Sequence, residues 1–228
     1  MCFSATASFA AGIGLTGIGL ATLSLAPTWR ERPFAAIPLL FGLQQLIEGA
    51  LWLALAAGDE AGRACYTAGF LGISEVLWPL WAPFAVWLIE PDGWRRRGMA
   101  LCGAAGATIA LALLYGLATQ FEPATLKDGH IFYGFPHYDW FRNTNLLIPS
   151  MSLYATATCL SLLLASDRVV RLFGVLVTAA LAATFAAYEE WLISVWCFFA
   201  AALSVVIAVW AVRRRAAAAA ALRPLALG

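Results

Sequence analysis

Charge is scarce in this chain, and no lysine or histidine falls inside its long apolar runs. Of 228 residues, 12% are charged and 62% are hydrophobic. A typical globular domain is nearer half apolar and a quarter charged, so this composition is that of a protein whose surroundings are lipid.

The missing residues exclude several familiar membrane chemistries. Without a lysine in an apolar run there is no retinal Schiff base. Without a histidine in a predicted helix, haem held between helices and histidine-rich diiron sites are not expected. The sequence also contains no His-x-x-x-His or Cys-x-x-Cys spacing and no nucleotide-binding glycine loop. We therefore expect the lipid bilayer as its environment and no nucleic acid as a partner.

Seven apolar segments are present, each long enough to cross a bilayer. About 20 residues of helix span the roughly 30 Å hydrocarbon core, and in lipid only helices or closed barrels pair every backbone polar group. The predicted crossings are residues 6–27, 34–57, 65–89, 98–119, 145–165, 169–188 and 191–212. The sequence predicts an all-α, seven-transmembrane-helix bundle over residues 1–212, followed by a short cytoplasmic tail over residues 213–228. Four glycines in the first segment predict a helix that packs closely against a neighbour.

The basic residues predict the orientation. Eleven arginines lie in one set of connections and at the C-terminus, whereas the other set holds only Arg63, Lys127 and Arg142. Basic loops stay in the cytoplasm, so we expect the N-terminus outside and the C-terminus inside. Trp29, Trp94 and Trp210 fall near the predicted inner boundary, where tryptophan commonly anchors helices in the interface.

Two glutamates interrupt the apolar segments. Glu48 and Glu75 each lie about ten residues from the outer end of their helix, roughly 15 Å down, so we expect them near the midplane at similar depth. Gln44 shares a helix face with Glu48. Pro79 lies four residues after Glu75, removes the amide that would bond the Glu75 carbonyl, and predicts a kink with a free carbonyl. Ionisable residues inside membrane segments indicate function or, alternatively, polar links between helices.

Further polar residues gather toward the outer side. Glu190, Ser194 and Cys197 follow helical spacings on the last segment and line one face of its outer half. The outer connection 120–142 is long for a compact bundle, and such loops often act as lids. We predict one outward-opening polar cavity between the second, third and seventh helices, with proton or cation binding at Gln44, Glu48, Glu75, Glu190 and Ser194.

A metal site is the sharper alternative. Carboxylates with an imidazole and a thiolate suit zinc or a similar divalent ion. The candidate ligands are Cys2, Glu48, Glu75, His137 and Cys197. Cys2 and Cys65 both lie on the predicted outer side, so a disulfide between them competes with this role for Cys2.

Three stretches of the sequence resemble a family of bacterial membrane proteins defined as a domain of unknown function. They are the opening Met-Cys-Phe-Ser-Ala-Thr-Ala-Ser-Phe, the run over residues 33–45 that ends in two glutamines, and the Glu48-Gly49 and Trp52 that follow. The resemblance covers most of the chain and implies a seven-helix protein of the bacterial cytoplasmic membrane. The plan is also similar to that of membrane hydrolases of the alkaline ceramidase and progestin-receptor type. Their zinc sites use three helix-borne histidines, which this chain lacks.

Three function classes stay open at this point. The first is a protein that binds or moves a proton, a cation or a small molecule through its midplane carboxylates. The second is a metal-dependent, hydrolase-like membrane enzyme. The third is a structural or regulatory membrane subunit whose polar residues only hold helices together.

Overall fold

The computed structural model describes residues 4–91, 93–134, 144–188 and 191–222. Over this part of the chain, seven helices are long and apolar enough to cross a membrane, which confirms the predicted helix count and indicates a multi-pass membrane protein. They are α1 (Ala5–Leu25), α2 (Arg32–Ala57), α3 (Glu60–Ile89), α4 (Trp94–Thr119), α5 (Asn145–Leu163), α6 (Arg168–Ala187) and α7 (Leu192–Ala221).

Side-chain caps explain why several helices begin where they do. Ser4 accepts a hydrogen bond from the Ala7 amide before α1, and Asp59 accepts from the Gly62 amide before α3. Asp167 accepts from the Val169 amide, at 2.8 Å, before α6. Each cap satisfies one of the amides that a helix leaves free at its start. The Asp59 cap starts α3 five residues before the predicted segment, because the charged first turn belongs to the helix although it lowers the hydropathy.

Helices α1 and α2 pack at glycine contacts, as predicted for the first segment. A Cβ added to Gly19 would lie 2.4 Å from the Leu39 nitrogen, and one added to Gly42 would lie 2.7 Å from the Thr16 nitrogen. Such distances are far below any real Cβ contact, so only glycine permits this approach. In lipid, close backbone packing of this kind is a main source of helix association.

Helix α3 changes its winding at its centre. Residues Gly72–Leu77 form a π-helical turn, after which an α-helix resumes over Trp78–Ile89 with Pro79 in its first turn. In an α-helix the Pro79 carbonyl would pair with the amide of residue 83, but Pro83 has no amide hydrogen. The Pro79 carbonyl lies against α4. A Cβ on Gly106 of α4 would lie 1.9 Å from that oxygen. The proline-bearing part of α3 and the glycine face of α4 are therefore fitted to one another.

The connection between α4 and α5 begins with a small antiparallel hairpin. Strand β1 (Thr125–Lys127) pairs with β2 (His130–Phe132), with Leu126 opposite Ile131. Ile131 and Tyr133 are buried, and Tyr133 stacks on Phe70 of α3 with ring centroids 4.6 Å apart. The hairpin is thus packed onto the bundle. We call the bundle end that carries it the hairpin side.

The opposite end, which we call the arginine side, carries two buried carboxylates. Glu31 accepts hydrogen bonds from the Thr28 amide and hydroxyl, and its Oε1 forms an ion pair with Arg214 at 2.5 Å. Glu90 accepts from the amide of Ser166 at 2.9 Å and from its hydroxyl. These contacts tie the ends of α2, α3, α5 and α7 together.

Helix α7 runs on past the predicted end of the membrane domain at residue 212. After a break at residues 204–205, it continues as Val206–Leu222 and carries the three arginines with it. Trp210 is 2% exposed, and its ring meets that of Phe34 edge-on with centroids 4.8 Å apart. The prediction that Trp210 anchors the protein in the membrane interface is therefore wrong, because the side chain is buried inside the bundle. Trp29 and Trp94 are well exposed, as interfacial residues should be.

Candidate functional site

Glu48 is fully buried and is held by three neutral donors. Ser194 of α7 donates to its Oε1 at 2.9 Å, and Tyr133, next to the hairpin, donates to the same oxygen at 3.3 Å. Gln45 donates from Nε2 to the other oxygen at 3.4 Å. Hydrogen bonds to a carboxylate are stronger than those between neutral groups. Glu48 therefore joins α2, α7 and the hairpin segment at one point.

A second polar contact extends this network toward α3. The Gln44 side-chain oxygen accepts from the Trp78 indole at 2.8 Å, and Trp78 stacks on Phe41 with centroids 4.0 Å apart. Cys197 of α7 is buried and lines the same cavity as Glu75. The structure thus brings Gln44, Glu48 and Cys197 together, with Glu75 nearby.

Glu75 lies in the π-helical turn of α3 and is 5% exposed. In a π-helix a carbonyl pairs with the amide five residues on, so the partner of Ser74 would be Pro79, which has no amide hydrogen. The Ser74 carbonyl instead accepts a hydrogen bond from the Tyr154 hydroxyl of α5. Because of Pro79, the carbonyl of Ser74 is left to pair with a side chain in the interior. The sequence, read with α-helical spacing, predicted a free carbonyl at Glu75.

Helix α5 contains a matching π-helical turn, Thr156–Leu160, directly after Tyr154. The Thr158 hydroxyl donates back to the Tyr154 carbonyl at 2.8 Å. Serine and threonine hydroxyls that compete for such carbonyls commonly distort helices. The Tyr154 contact thus joins the π-helical turn of α3 to the residue that precedes the π-helical turn of α5, and π-helical turns are frequent at functional sites.

Glu75 and Ser74 form part of the wall of a cavity of about 490 Å³. The remaining wall comes from α4, α5, α6 and α7 and is mostly apolar, with Tyr154, Thr178 and Cys197 among its polar members. This differs from the predicted polar cavity between α2, α3 and α7. Tyr133 instead covers Glu48 and donates a hydrogen bond to it, and Ile131 belongs to the same buried cluster as Tyr133.

The other predicted site residues divide into two groups. Ser194 and Cys197 are buried on one face of α7, as their spacing predicted. Glu190, Cys2 and His137 lie outside the described residues, so neither the metal role of Cys2 nor the competing disulfide with Cys65 is tested. Within the described ranges, no three histidine, cysteine, aspartate or glutamate side chains are grouped closely enough to hold a metal ion.

Three aromatic partners of the polar residues were not predicted from the sequence: Tyr133, Tyr154 and Trp78. For Tyr154 the sequence contained a partial signal. When the helix takes up π-helical winding, the carbonyl of Ser74, five residues before Pro79, has no amide partner and accepts from another donor. For Tyr133 the contact spans 85 positions, so local spacing could not find it.

Comparison with known proteins places the chain by family. No curated protein and no solved structure matches it significantly. Residues 1–222 match a family described as a family of unknown function, DUF6629. Because this match covers nearly the whole sequence, the chain belongs to that family.

Proposed function

We propose that this multi-pass membrane protein binds a small organic cation in the cavity beside Glu75. The observation that carries the proposal is the cavity wall, in which Glu75 is the one charged residue among the described lining residues. Opposite charges 4 Å apart attract by about 4 kcal/mol at an effective dielectric constant of 20, against about 1 kcal/mol in water. The Coulomb attraction of a cation is therefore stronger at Glu75 than at an exposed carboxylate, and it is opposed by the hydration that both partners lose.

The two midplane glutamates then have different roles. Glu48 accepts from Ser194, Tyr133 and Gln45, and it lies outside the cavity wall. We assign Glu48 to holding α2, α7 and the hairpin segment together. Glu75, in contrast, borders a space whose volume falls within the range of about 300–1,000 Å³ that ligand pockets occupy.

Binding of hexylamine to the purified protein in lipid nanodiscs tests this assignment, with hexanol and hexanoate as uncharged and anionic probes. We expect hexylamine to bind most tightly, and Glu75→Gln to weaken its binding about tenfold or more, which corresponds to about 1.4 kcal/mol. Glu122→Gln, the same change at an exposed loop position, is the matched control and should leave affinity unchanged. Equal binding of hexylamine by the wild type and Glu75→Gln would refute the proposal.

We further infer that the hairpin side faces outward and that the arginine side lies in the cytoplasm of a bacterial cell, as the eleven-to-three distribution of basic residues suggests. In a variant whose native Cys2 and Cys65 are replaced by serine, a cysteine at position 95 (Arg95→Cys) should react with a membrane-impermeant maleimide only in inverted vesicles. Reaction in intact spheroplasts would reverse the orientation.

A further inference from the structure

Resting on the proposed function, we propose that the ligand is a membrane-dissolved primary amine with a single long alkyl chain, which enters the cavity sideways between α5 and α6. The structural basis is a cavity with a carboxylate at its inner wall and an opening in the lipid-facing surface.

The opening is formed by residues of α5 and α6 that are themselves exposed. Ile148 of α5 is 62% exposed and Phe185 of α6 is 50% exposed, and both line the cavity. Ser152 and Ala182 border the same space and are also exposed. All four lie within helices that are long and apolar enough to cross a membrane, so in a bundle inserted in the bilayer this opening faces the lipid. A ligand can therefore reach the cavity from the lipid.

The gap has a cause in the helix arrangement. Helix α6 packs against the arginine-side half of α5, where the π-helical turn lies and where a Cβ on Gly174 would come within 2.7 Å of Leu162. The half of α5 toward the hairpin side, residues 145–155, lacks comparable packing against α6. The two helices thus diverge toward the hairpin side, and the cavity occupies the wedge between them.

The wall chemistry divides this space into two parts. Toward the hairpin side the lining residues are mostly apolar, including Leu113, Leu147 and Leu181, with Ser150 and Ser152 as polar members. At the inner end lie Glu75, Ser74 and the Tyr154 hydroxyl, which offer a carboxylate and oxygen acceptors for an ammonium group. An apolar chain fits the first part and a small cationic head fits the second.

Charge excludes other common amphiphiles. A phosphate or carboxylate head would be repelled by Glu75, and no described lining residue carries a positive charge to offset that repulsion. An alcohol can donate one hydrogen bond but lacks the ionic attraction. The amine head is therefore the group that the cavity favours.

The test compares hexylamine with dodecylamine in nanodiscs, with affinities expressed per mole fraction of amine in the bilayer. Two variants probe the opening. Ala182→Trp places a large side chain at the mouth, and Ala183→Trp makes the same change at the neighbouring exposed position of α6, which does not line the cavity. Both variants are first checked for unchanged thermal stability, and the chain-length comparison is made on the wild type.

On this scale we expect dodecylamine to bind at least about tenfold more tightly than hexylamine. We expect Ala182→Trp to weaken dodecylamine binding about tenfold and Ala183→Trp to change it less than about twofold. Equal affinities for the two chain lengths, or equal effects of the two tryptophans, would overturn the lateral-entry inference while leaving binding at Glu75 intact. Absence of Glu75-dependent binding by either amine would instead overturn the proposed function itself.

Discussion

At the scale of single residues, Glu48 and Glu75 differ in what surrounds them although both interrupt apolar helices. Glu48 has Ser194, Tyr133 and Gln45 as donors within 3.4 Å. Glu75 borders a cavity of about 490 Å³. Several donors stabilise a buried carboxylate, which allows Glu48 to lie inside an apolar helix.

The Tyr133 hydroxyl gives a direct test of the Glu48 network. Tyr133→Phe keeps the stacking on Phe70 and removes one donor to Glu48. Loss of a hydrogen bond to a buried carboxylate should cost about 1.5–3 kcal/mol, so we expect thermal unfolding in detergent to shift down by roughly 3–10 °C. Tyr115→Phe, at a position 63% exposed on α4, is the control and should shift it by less than about 1 °C. Equal shifts would show that the hydroxyl at 133 has no special role.

At the scale of helices and turns, hydropathy predicted each crossing because the lipid-facing and core-facing sides are both apolar. The ends were predicted less well, since charged first turns such as that of α3 are helical but fall outside a hydropathy window. The π-helical turn at Gly72–Leu77 was not predicted. Proline position suggests a local distortion, but whether a helix kinks or widens depends on the partner available to the freed carbonyl, here Tyr154 of another helix.

The fit of α3 to α4 is testable through two glycines on one helix. Gly106→Ala would place a methyl group 1.9 Å from the Pro79 oxygen, an impossible distance that forces the helices apart. We expect a loss of about 2–4 kcal/mol, or failure to accumulate in the membrane, as for a strongly overpacked core. Gly103→Ala, where nothing lies within 4 Å of the added methyl, should be neutral or slightly stabilising. Similar expression and unfolding temperatures for the two variants would contradict this packing.

At the scale of the whole molecule, the two ends of the bundle are built differently. The arginine side is fastened by Glu31 with Arg214 and by Glu90 with Ser166. On the hairpin side, Tyr133 is inserted above Glu48, and α5 stands apart from α6. The composition predicted the membrane-compatible bundle, and the spacing on α7 predicted Ser194 beside the polar core. The cavity beside Glu75 could not be predicted, because it depends on how α5 and α6 diverge.

We propose above that Glu75 anchors a ligand in a cavity that opens to lipid between α5 and α6. Photolabelling with a dodecylamine that carries a diazirine on its chain, followed by peptide mass spectrometry, tests it most directly. We predict saturable labelling near Ile148 and Phe185 that excess dodecylamine displaces and Glu75→Gln abolishes. Labelling spread equally over lipid-facing residues such as Leu101 and Leu111 of α4, and unchanged in Glu75→Gln, would contradict the account.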